Sequence, residues 1–162
     1  MTLTANAKSG KKKAQKRLRR SLPAVDARRL QYAALPWRGT DRLEIMLVSS
    51  RDTGRWIIPK GWPMAGRSGS AAAAIEAVEE AGLLGAISSE PIGQYVYAKR
   101  FSGAKQVCRV EVFSLRVLRQ RENWPEKHQR NTQWFPADEA AAMVSDPGLG
   151  QLIAAFARQQ ES

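Results

Sequence analysis

Three glutamates within one short alanine-rich segment constrain this chain more than any other feature of its sequence. The segment Ser70–Ala81 reads SAAAAIEAVEEA, a run of strong helix formers, and Gly82 follows it in the position where helices commonly end. A helix over this range, with its first serine as the N-cap, places Glu76, Glu79 and Glu80 at i, i+3 and i+4. Because those positions share one helix face, the sequence predicts three carboxylates side by side.

Side-by-side carboxylates destabilise a helix unless something compensates their charge. Like charges at this spacing cost roughly 0.2–0.5 kcal/mol per pair, and anions near a helix C-terminus oppose the helix dipole. A bound Mg²⁺ or Mn²⁺ ion removes both penalties, because hard divalent cations prefer carboxylate oxygens. A merely solvated acidic face is the alternative. However, only 15 residues of the chain are acidic, three of them fall within five positions, and the glycine- and lysine-containing segment 59–63 (PKGWP) precedes them, which favours a metal site.

The formal charge of +11 resides mostly in the first residues of the chain. Residues 1–22 carry eight of the 26 basic residues and no acidic one, so the rest of the 162-residue chain has a net charge of only +3. Such a segment is too poor in apolar residues to order itself, which predicts a disordered basic tail at 1–22 and one domain at 23–162. The alternative is a tail that makes non-specific contacts with nucleic acid or another polyanion.

The rare residue types exclude several kinds of site. Cys108 is the only cysteine, which excludes an internal disulfide and a CxxC zinc site, and a Ser-His-Asp triad is excluded unless His128, the only histidine, serves in it. No apolar run reaches the roughly 18 residues that span a bilayer, and no apolar stretch follows the basic tail as in a secretory signal. We therefore expect a cytoplasmic protein without a membrane partner; a transit peptide remains the alternative reading of the tail, and the oligomeric state is left open.

The remaining pattern predicts short strands and few helices. The segments with β character are 29–37, 43–49, 55–59, 92–100, 106–117 and 133–135, and further helices are predicted at 136–144 and 149–158. In the fifth of these strands Cys108, Val110 and Val112 alternate with Arg109, Glu111 and Phe113, which places the two sets on opposite faces. Strands and helices interleave irregularly, so the fold class is α+β with a mixed sheet rather than a regular parallel winding.

The segment Gly61–Leu83, GWPMAGRSGSAAAAIEAVEEAGL, resembles the Nudix box, a loop–helix–loop motif written GX5EX7REUXEEXGU. The residues that match its fixed positions in register are Gly61, Glu76, Glu79, Glu80, Gly82 and Leu83. The flanks LVSSRDTGRWIIPKG and NWPEKHQRNTQWF are similar to the diphosphoinositol polyphosphate phosphohydrolase branch, and the resemblance covers roughly residues 28–145. It implies a Nudix-type α/β/α sandwich and a pyrophosphohydrolase that uses Mg²⁺ or Mn²⁺.

Two positions depart from the box. Arg67 stands where the box has a glutamate, and Ile75 stands where it has an arginine that helps to orient the catalytic carboxylates in the family. The aliphatic position after the first glutamate is only Ala77. We hypothesise that the missing residues, which carry opposite charges, support each other in other members and were lost together here.

The resemblance implies a role for each of the remaining box residues. Glu76 and Glu80 are the main metal ligands, Glu79 is the general base and lies in the same metal-binding set, and Lys60 and Gly61 contribute a backbone carbonyl. Some Nudix enzymes take the base from a later segment instead. The residues that could serve in that case are Glu111, Glu122 and Glu126.

Basic and hydroxyl side chains around the box predict a highly anionic substrate. The expected substrate-binding residues are Arg28, Arg29, Ser49, Ser50, Arg51, Lys60, Lys105 and Arg130, with Lys99 and Arg100 nearby. Diadenosine polyphosphates and diphosphoinositol polyphosphates are the substrates that the branch suggests. Two alternatives remain: a pyrophosphohydrolase acting on RNA 5′ ends, and an inactive Nudix-fold nucleic-acid-binding protein, which Arg67 and Ile75 keep open.

Overall fold

The computed structural model describes residues 29–161, and of Phe101 only the backbone. The strands within this range are β1 (Leu30–Arg38), β2 (Glu44–Ser49), β3 (Trp56–Ile57), β4 (Lys60–Gly61), β5 (Leu83–Ile87), β6 (Gly93–Phe101), β7 (Ala104–Gln120) and β8 (Thr132–Pro136). The helices are α1 (Gly69–Ala81), α2 (Ala137–Met143) and α3 (Pro147–Glu161). The six predicted strands and three predicted helices are all present, with shifted ends. The predicted tail and the start of the predicted domain lie outside the described residues.

All eight strands belong to one mixed sheet. Its central path is β3-β2-β1-β7-β5, and β4, β6 and β8 pair with β1, β7 and β2 respectively. β1 and β7 run parallel, in register from Leu30 opposite Arg109 to Trp37 opposite Arg116. The other strand pairs of the described chain are antiparallel. Strands far apart in sequence therefore meet at the centre of the sheet.

Both faces of the sheet are covered by helices. Ala33 and Leu35 of β1 belong to the apolar cluster that includes residues of α2 and α3, whereas Ala34 belongs to the cluster beneath α1. On β7 the predicted alternation is confirmed, because Val110 lies in the first cluster and Phe113 in the second. Since successive side chains of a strand point to opposite faces, two buried faces require helices on both sides. The predicted α/β/α sandwich is confirmed.

Helix α1 is fixed at both ends by local sequence. Its N-cap is Ser68, whose side chain accepts a hydrogen bond from the backbone N–H of Ala71 at 3.1 Å, so the prediction of Ser70 as the cap was wrong by two residues. Ser70 instead donates its hydroxyl to the carbonyl of Ser88. Gly82 closes the helix in the left-handed conformation, with φ 67°, and its N–H donates to carbonyls of the last turn.

The sequence did not predict β4 and β5. β4 has two residues and exists through its pairing with β1, where Gly61 lies opposite Tyr32. β5 begins directly after Gly82 and pairs with the far end of β7. Neither segment has the length or alternation that would reveal a strand by itself. Among the described helices, none is long and apolar enough to cross a membrane.

Candidate active site

The three glutamates of α1 face a cavity of about 350 Å³. Predicted site residues from four separate segments line it together: Ser50, Arg51, Lys60, Gly61, Glu76, Glu79, Glu80 and Arg130. A larger cavity of about 750 Å³ lies between the turn after β1 and the end of α3, and it contains none of the predicted site residues. The smaller cavity is therefore the candidate active site.

The backbone of strand β4 lies in close contact with two carboxylates of α1. The N–H of Lys60 donates to Oε2 of Glu80 at 2.8 Å. A Cβ placed on Gly61 would lie 2.1 Å from Oε1 of Glu76, so any side chain there would collide with that carboxylate. The glycine that begins the box is thus needed because β4 and α1 approach this closely.

Glu80 is the most enclosed of the three carboxylates. Its residue is only 3% exposed, and its Oε1 forms an ion pair with a terminal nitrogen of Arg130 at 2.7 Å. Burial raises the pKa of Glu80 to about 7, although the charge of Arg130 and the N–H of Lys60 act in the opposite direction. The guanidinium and the peptide N–H therefore do not fully compensate the desolvation of this carboxylate.

Glu76 is the second carboxylate whose pKa is raised by burial. Its pKa is raised to about 7, first by burial and then by the neighbouring charges of Glu80, Glu79 and Glu126, against the opposing charge of Arg130. Three neighbouring carboxylates thus disfavour the charge of Glu76. An additional positive charge placed among them would be stabilised.

The chemistry of these donors fits a hard divalent cation. Glu76, Glu79 and Glu80 offer carboxylate oxygens beside the backbone of β4, and oxygen ligands are what Mg²⁺ and Mn²⁺ prefer. Within residues 29–161 no group of three or more carboxylate, histidine or cysteine side chains is already gathered into a coordination geometry. In this arrangement the Arg130 guanidinium forms an ion pair with Glu80. The donor set therefore fits the ion, and its members would adjust when the ion binds.

The loop between β7 and β8 brings a fourth acid and the arginine to this place. Its Glu126 N–H donates to the carbonyl of Glu79 at 3.0 Å, which satisfies a carbonyl near the end of α1. Its Asn131 N–H donates to Oγ of Ser49 at 2.8 Å. The loop is thereby attached to both α1 and β2. Glu126 also pairs with Arg51 at 3.3 Å.

A second cavity of about 650 Å³ adjoins the first and shares with it Ser50, Asp52, Ile57, Lys60 and Lys99. Its other charged lining residues are Arg55, Arg100, Lys105 and Asp146. Desolvation lowers the pKa of Lys60, against the opposing charges of Glu80 and Asp146. Basic side chains outnumber acidic ones here, so this cavity suits an anionic group.

The structure brings most, but not all, of the predicted substrate-binding residues together. Lys105 lines the second cavity, and Ser49 is buried beside the first. Arg29 lines neither of the two, and Arg28 lies outside the described residues. The lining residues that the sequence analysis did not single out are Gln31, Asp52, Thr53, Arg55, Ile57, Trp62, Tyr97, Ala98, Ser145 and Asp146. They come from unrelated strands and turns, so no sequence spacing connects them.

The NUDIX domain profile matches residues 27–156 of the chain. This chain belongs to the NUDIX domain family. The match extends from the start of β1 into α3 and includes the whole cavity. The match also includes residues 61–83, the segment that resembles the Nudix box.

Curated relatives of this Nudix chain include several proteins of Arabidopsis thaliana. Nudix hydrolase 12, mitochondrial, is 28% identical over 125 residues, which cover 75% of this chain and 62% of that protein. Nudix hydrolase 18, mitochondrial, is 30% identical over 127 residues, which cover 74% of this chain and 70% of that protein. The chain spans about three fifths of the length of the first curated relatives that it matches.

Solved structures share the fold. The E. coli dihydroneopterin triphosphate pyrophosphohydrolase superimposes with a TM-score of 0.63 at 17% identity, over 84% of this chain and 99% of that one. A C. elegans Ap4A hydrolase in a binary complex gives a TM-score of 0.59 at 19% identity, over 78% of this chain and 93% of that one. At these identities the likeness establishes the Nudix fold.

Proposed function

We propose that this Nudix chain is a divalent-metal-dependent hydrolase that cleaves a pyrophosphate bond in a nucleoside-diphosphate derivative or another polyphosphorylated substrate. The observation that carries the proposal is the position of Glu76, Glu79 and Glu80, which face one cavity. The second cavity, which adjoins it, is lined by basic side chains. Carboxylates that hold a metal beside cationic phosphate ligands are the parts that phosphoryl-group hydrolysis requires.

Each side chain has a distinct role in this mechanism. Glu76 and Glu80, with a backbone carbonyl of Lys60 or Gly61, would hold Mg²⁺ or Mn²⁺, which when bound neutralises phosphate charge and lowers the pKa of a water. Water attacks one phosphorus, and the bond from that phosphorus to the bridging oxygen breaks. Glu79 accepts the proton of the attacking water.

Glu126 is the competing choice for the base. Its Oε1 already interacts with Arg51 at 3.3 Å and with Arg130 at 3.2 Å. Two guanidinium partners occupy that oxygen and hold the side chain in place. These contacts favour Glu79 as the proton acceptor.

The second cavity supports a substrate that carries negative charge beyond the bond that is cleaved. Arg55, Arg100 and Lys105 line it, and Lys60 and Lys99 line both cavities. A phosphate chain could therefore extend from the carboxylates past the two lysines to the basic end. Diphosphoinositol polyphosphates and diadenosine polyphosphates meet this requirement, as the resemblance to the diphosphoinositol polyphosphate phosphohydrolase branch suggests.

Two aromatic rings bear on the choice between these substrates. Trp62 is 38% exposed and lines the first cavity, but Lys99 lies over its ring at 5.6 Å. Lys60 lies over the ring of Tyr97 at 5.1 Å. Cations on both rings favour a phosphate-rich group over a stacked base, so we place diphosphoinositol polyphosphates first.

A substrate panel tests the proposal. Purified protein is incubated with diphosphoinositol polyphosphates, diadenosine polyphosphates, ADP-sugars and triphosphorylated RNA, each with Mg²⁺, with Mn²⁺ and with a chelator. We expect metal-dependent release of phosphate or nucleotide products from at least one of the first two classes. Glu80→Gln should abolish it, whereas Arg119→Ala, on an exposed position of β7, should not. Absence of turnover on every substrate would refute the enzymatic proposal.

The cytoplasmic location remains a proposal. Several curated relatives are named mitochondrial and one chloroplastic. A fluorescent protein fused after residue 162 would report the location of the full chain. Import into an organelle would instead identify the basic residues 1–22 as a transit peptide.

A further inference from the structure

Arg130 makes contacts that the Nudix box of this chain does not supply. We propose that Arg130 is a positioning residue that holds the carboxylate of Glu80, in place of the box arginine that is absent at Ile75. The inference rests on the proposed function, because it assigns a role within the same site. It also reassigns Arg130 from the group of predicted phosphate ligands.

The guanidinium of Arg130 is directed at protein groups. One terminal nitrogen lies 2.7 Å from Oε1 of Glu80 and 3.2 Å from Oε1 of Glu126. Nε lies 3.3 Å from the same Glu126 oxygen, and the other terminal nitrogen donates to the carbonyl of Ser49 at 3.1 Å. An arginine has five N–H donors, and most of them are used here. The group is therefore oriented before any substrate arrives.

Glu80 is held from two sides as a result. Arg130 binds Oε1, and the N–H of Lys60 binds Oε2 at 2.8 Å. With an ion pair on one oxygen and a hydrogen bond on the other, rotation of the carboxylate disrupts at least one of the two contacts. Ile75 has no donor and cannot provide either contact. The orientation that a box arginine provides in the family is thus supplied by a residue 50 positions after Glu80.

Exposure separates Arg130 from the cations that suit a phosphate. Its side chain is 7% exposed, whereas that of Arg51, which lines the same cavity, is 55% exposed. A phosphate ligand needs donors that are free to turn toward solvent and substrate. Arg51 has such an exposed side chain, of which one terminal nitrogen contacts Glu126 and Gln129, whereas Arg130 is enclosed by two carboxylates and a carbonyl.

The position of Arg130 is fixed independently of any ligand. Its loop is attached to α1 through Glu126 and to β2 through Asn131, by backbone N–H donors at 3.0 and 2.8 Å. The loop therefore acts as a rigid support for Glu80. Supporting residues of this kind typically change metal affinity or activity roughly 10–100-fold when they are removed.

Steady-state kinetics test the assignment. We expect Arg130→Ala to lower kcat by roughly 10–100-fold and to leave KM within about threefold, since the lost contact orients a carboxylate rather than a phosphate. Arg130→Lys should give an intermediate kcat, because it keeps the charge and loses the forked geometry. Arg51→Ala should instead raise KM, and Arg119→Ala should match wild type. A raised KM with unchanged kcat in Arg130→Ala would overturn the proposal.

A metal-free measurement separates this inference from the proposed function. Thermal unfolding midpoints are measured in chelator for wild type, Arg130→Ala, Glu80→Gln and the double variant. If the two side chains are coupled, their effects on the midpoint are not additive. Additive shifts would contradict the proposal, even in a protein with full activity. Absence of turnover in wild type would refute the proposed function, whereas the comparison of the four unfolding midpoints would still report whether Arg130 and Glu80 are coupled. If Arg130→Ala does not fold, Arg130→Lys replaces it in this comparison.

Discussion

Glu76 and Glu80 lower the stability of the folded chain and at the same time form a site that attracts a cation. Ionising their carboxylates works against burial and against the charge of neighbouring carboxylates. A structure selected for stability alone would place apolar or neutral side chains there. The cost becomes useful when a cation binds, because the same uncompensated charge then attracts it.

The raised pKa values predict how stability depends on pH. Glu76 and Glu80 have pKa values of about 7 in the folded chain, against an ordinary value near 4.5. Folding is therefore favoured most while both are protonated, and this contribution is lost as the pH rises from about 4.5 through 7. We expect the metal-free protein to unfold at a lower temperature at pH 8 than at pH 6. Saturating Mg²⁺ should raise the midpoint more at pH 8, since protons no longer compete.

Differential scanning calorimetry in chelator and in Mg²⁺ measures this dependence. The double variant Glu76→Gln with Glu80→Gln is the matched control, because neither amide titrates. Its unfolding temperature should vary less between pH 6 and pH 8 than that of wild type. An equal variation in both proteins would place the titrating groups elsewhere.

Gly61 gives a second prediction at the scale of one residue. A Cβ at this position would lie 2.1 Å from Oε1 of Glu76, so Gly61→Ala must displace the carboxylate or β4. We expect a loss of kcat of at least about tenfold together with weaker Mn²⁺ binding by isothermal titration calorimetry. Gly54→Asn is the comparison, because the added Cβ meets nothing within 4 Å and asparagine tolerates the left-handed conformation of that position, φ 70°. Wild-type metal affinity in Gly61→Ala would show that Glu76 is not a ligand.

Helix α1 is the element on which the site depends. Its interior alanines, among them Ala73 and Ala77, pack on the sheet, while the glutamates occupy the face toward the cavity. Small side chains allow the helix to lie close to β1 and so to reach the backbone of β4. The caps at Ser68 and Gly82 then fix which residues occupy the last two turns.

The N-cap of α1 can be tested directly. Ser68 accepts a hydrogen bond from the N–H of Ala71, and loss of such a cap costs about 1 kcal/mol. We expect Ser68→Ala to lower the free energy of unfolding by that amount in urea denaturation, with kcat little changed. Ser68→Asp keeps an acceptor and adds a favourable interaction with the helix dipole, so it should restore the stability. Equal stability of Ser68→Ala and wild type would exclude the cap as a stabilising contact.

At the scale of the whole molecule, the site is a meeting point of segments that are distant in sequence. β4, α1 and the loop before β8 contribute to it, and β1 lies between β4 and β7 in the sheet. The antiparallel pairing of β5, which begins directly after α1, with the far end of β7 brings the loop after β7 to the C-terminal end of α1. The fold therefore places Arg130 beside Glu80.

The basic tail gives the prediction that belongs to the whole chain. Residues 1–22 supply +8 of the net charge of +11 and lie outside the described residues. We expect deletion of this segment to leave turnover of a small polyphosphate substrate unchanged and to weaken salt-dependent binding to RNA. Filter binding at several salt concentrations, with the Glu80→Gln full-length protein as control, measures the effect. RNA binding that survives the deletion would place the contact in the domain and support the RNA alternatives.

The features of the fold and site that could be predicted from the sequence are those that depend on residues close together along the chain. The helix over the glutamates, their common face and the box from Gly61 to Leu83 depend on residues a few positions apart, and their periodicity is visible along the chain. The alternation in β7 likewise identified its two faces. These features do not require knowledge of which segments meet.

Contacts between distant segments were decided only by the tertiary structure. β4 is a strand because β1 lies beside it, and Arg55 and Asp146 share a cavity because the turn before β3 lies near the start of α3. Ile75 indicated that the glutamates lack a local guanidinium, but the sequence could not show that Arg130 supplies one. The periodicity of a helix relates side chains that are three or four positions apart. The pairing of Arg130 with Glu80 depends instead on the packing of the whole sheet. The sequence determined which carboxylates form the site, and the fold determined what holds them there.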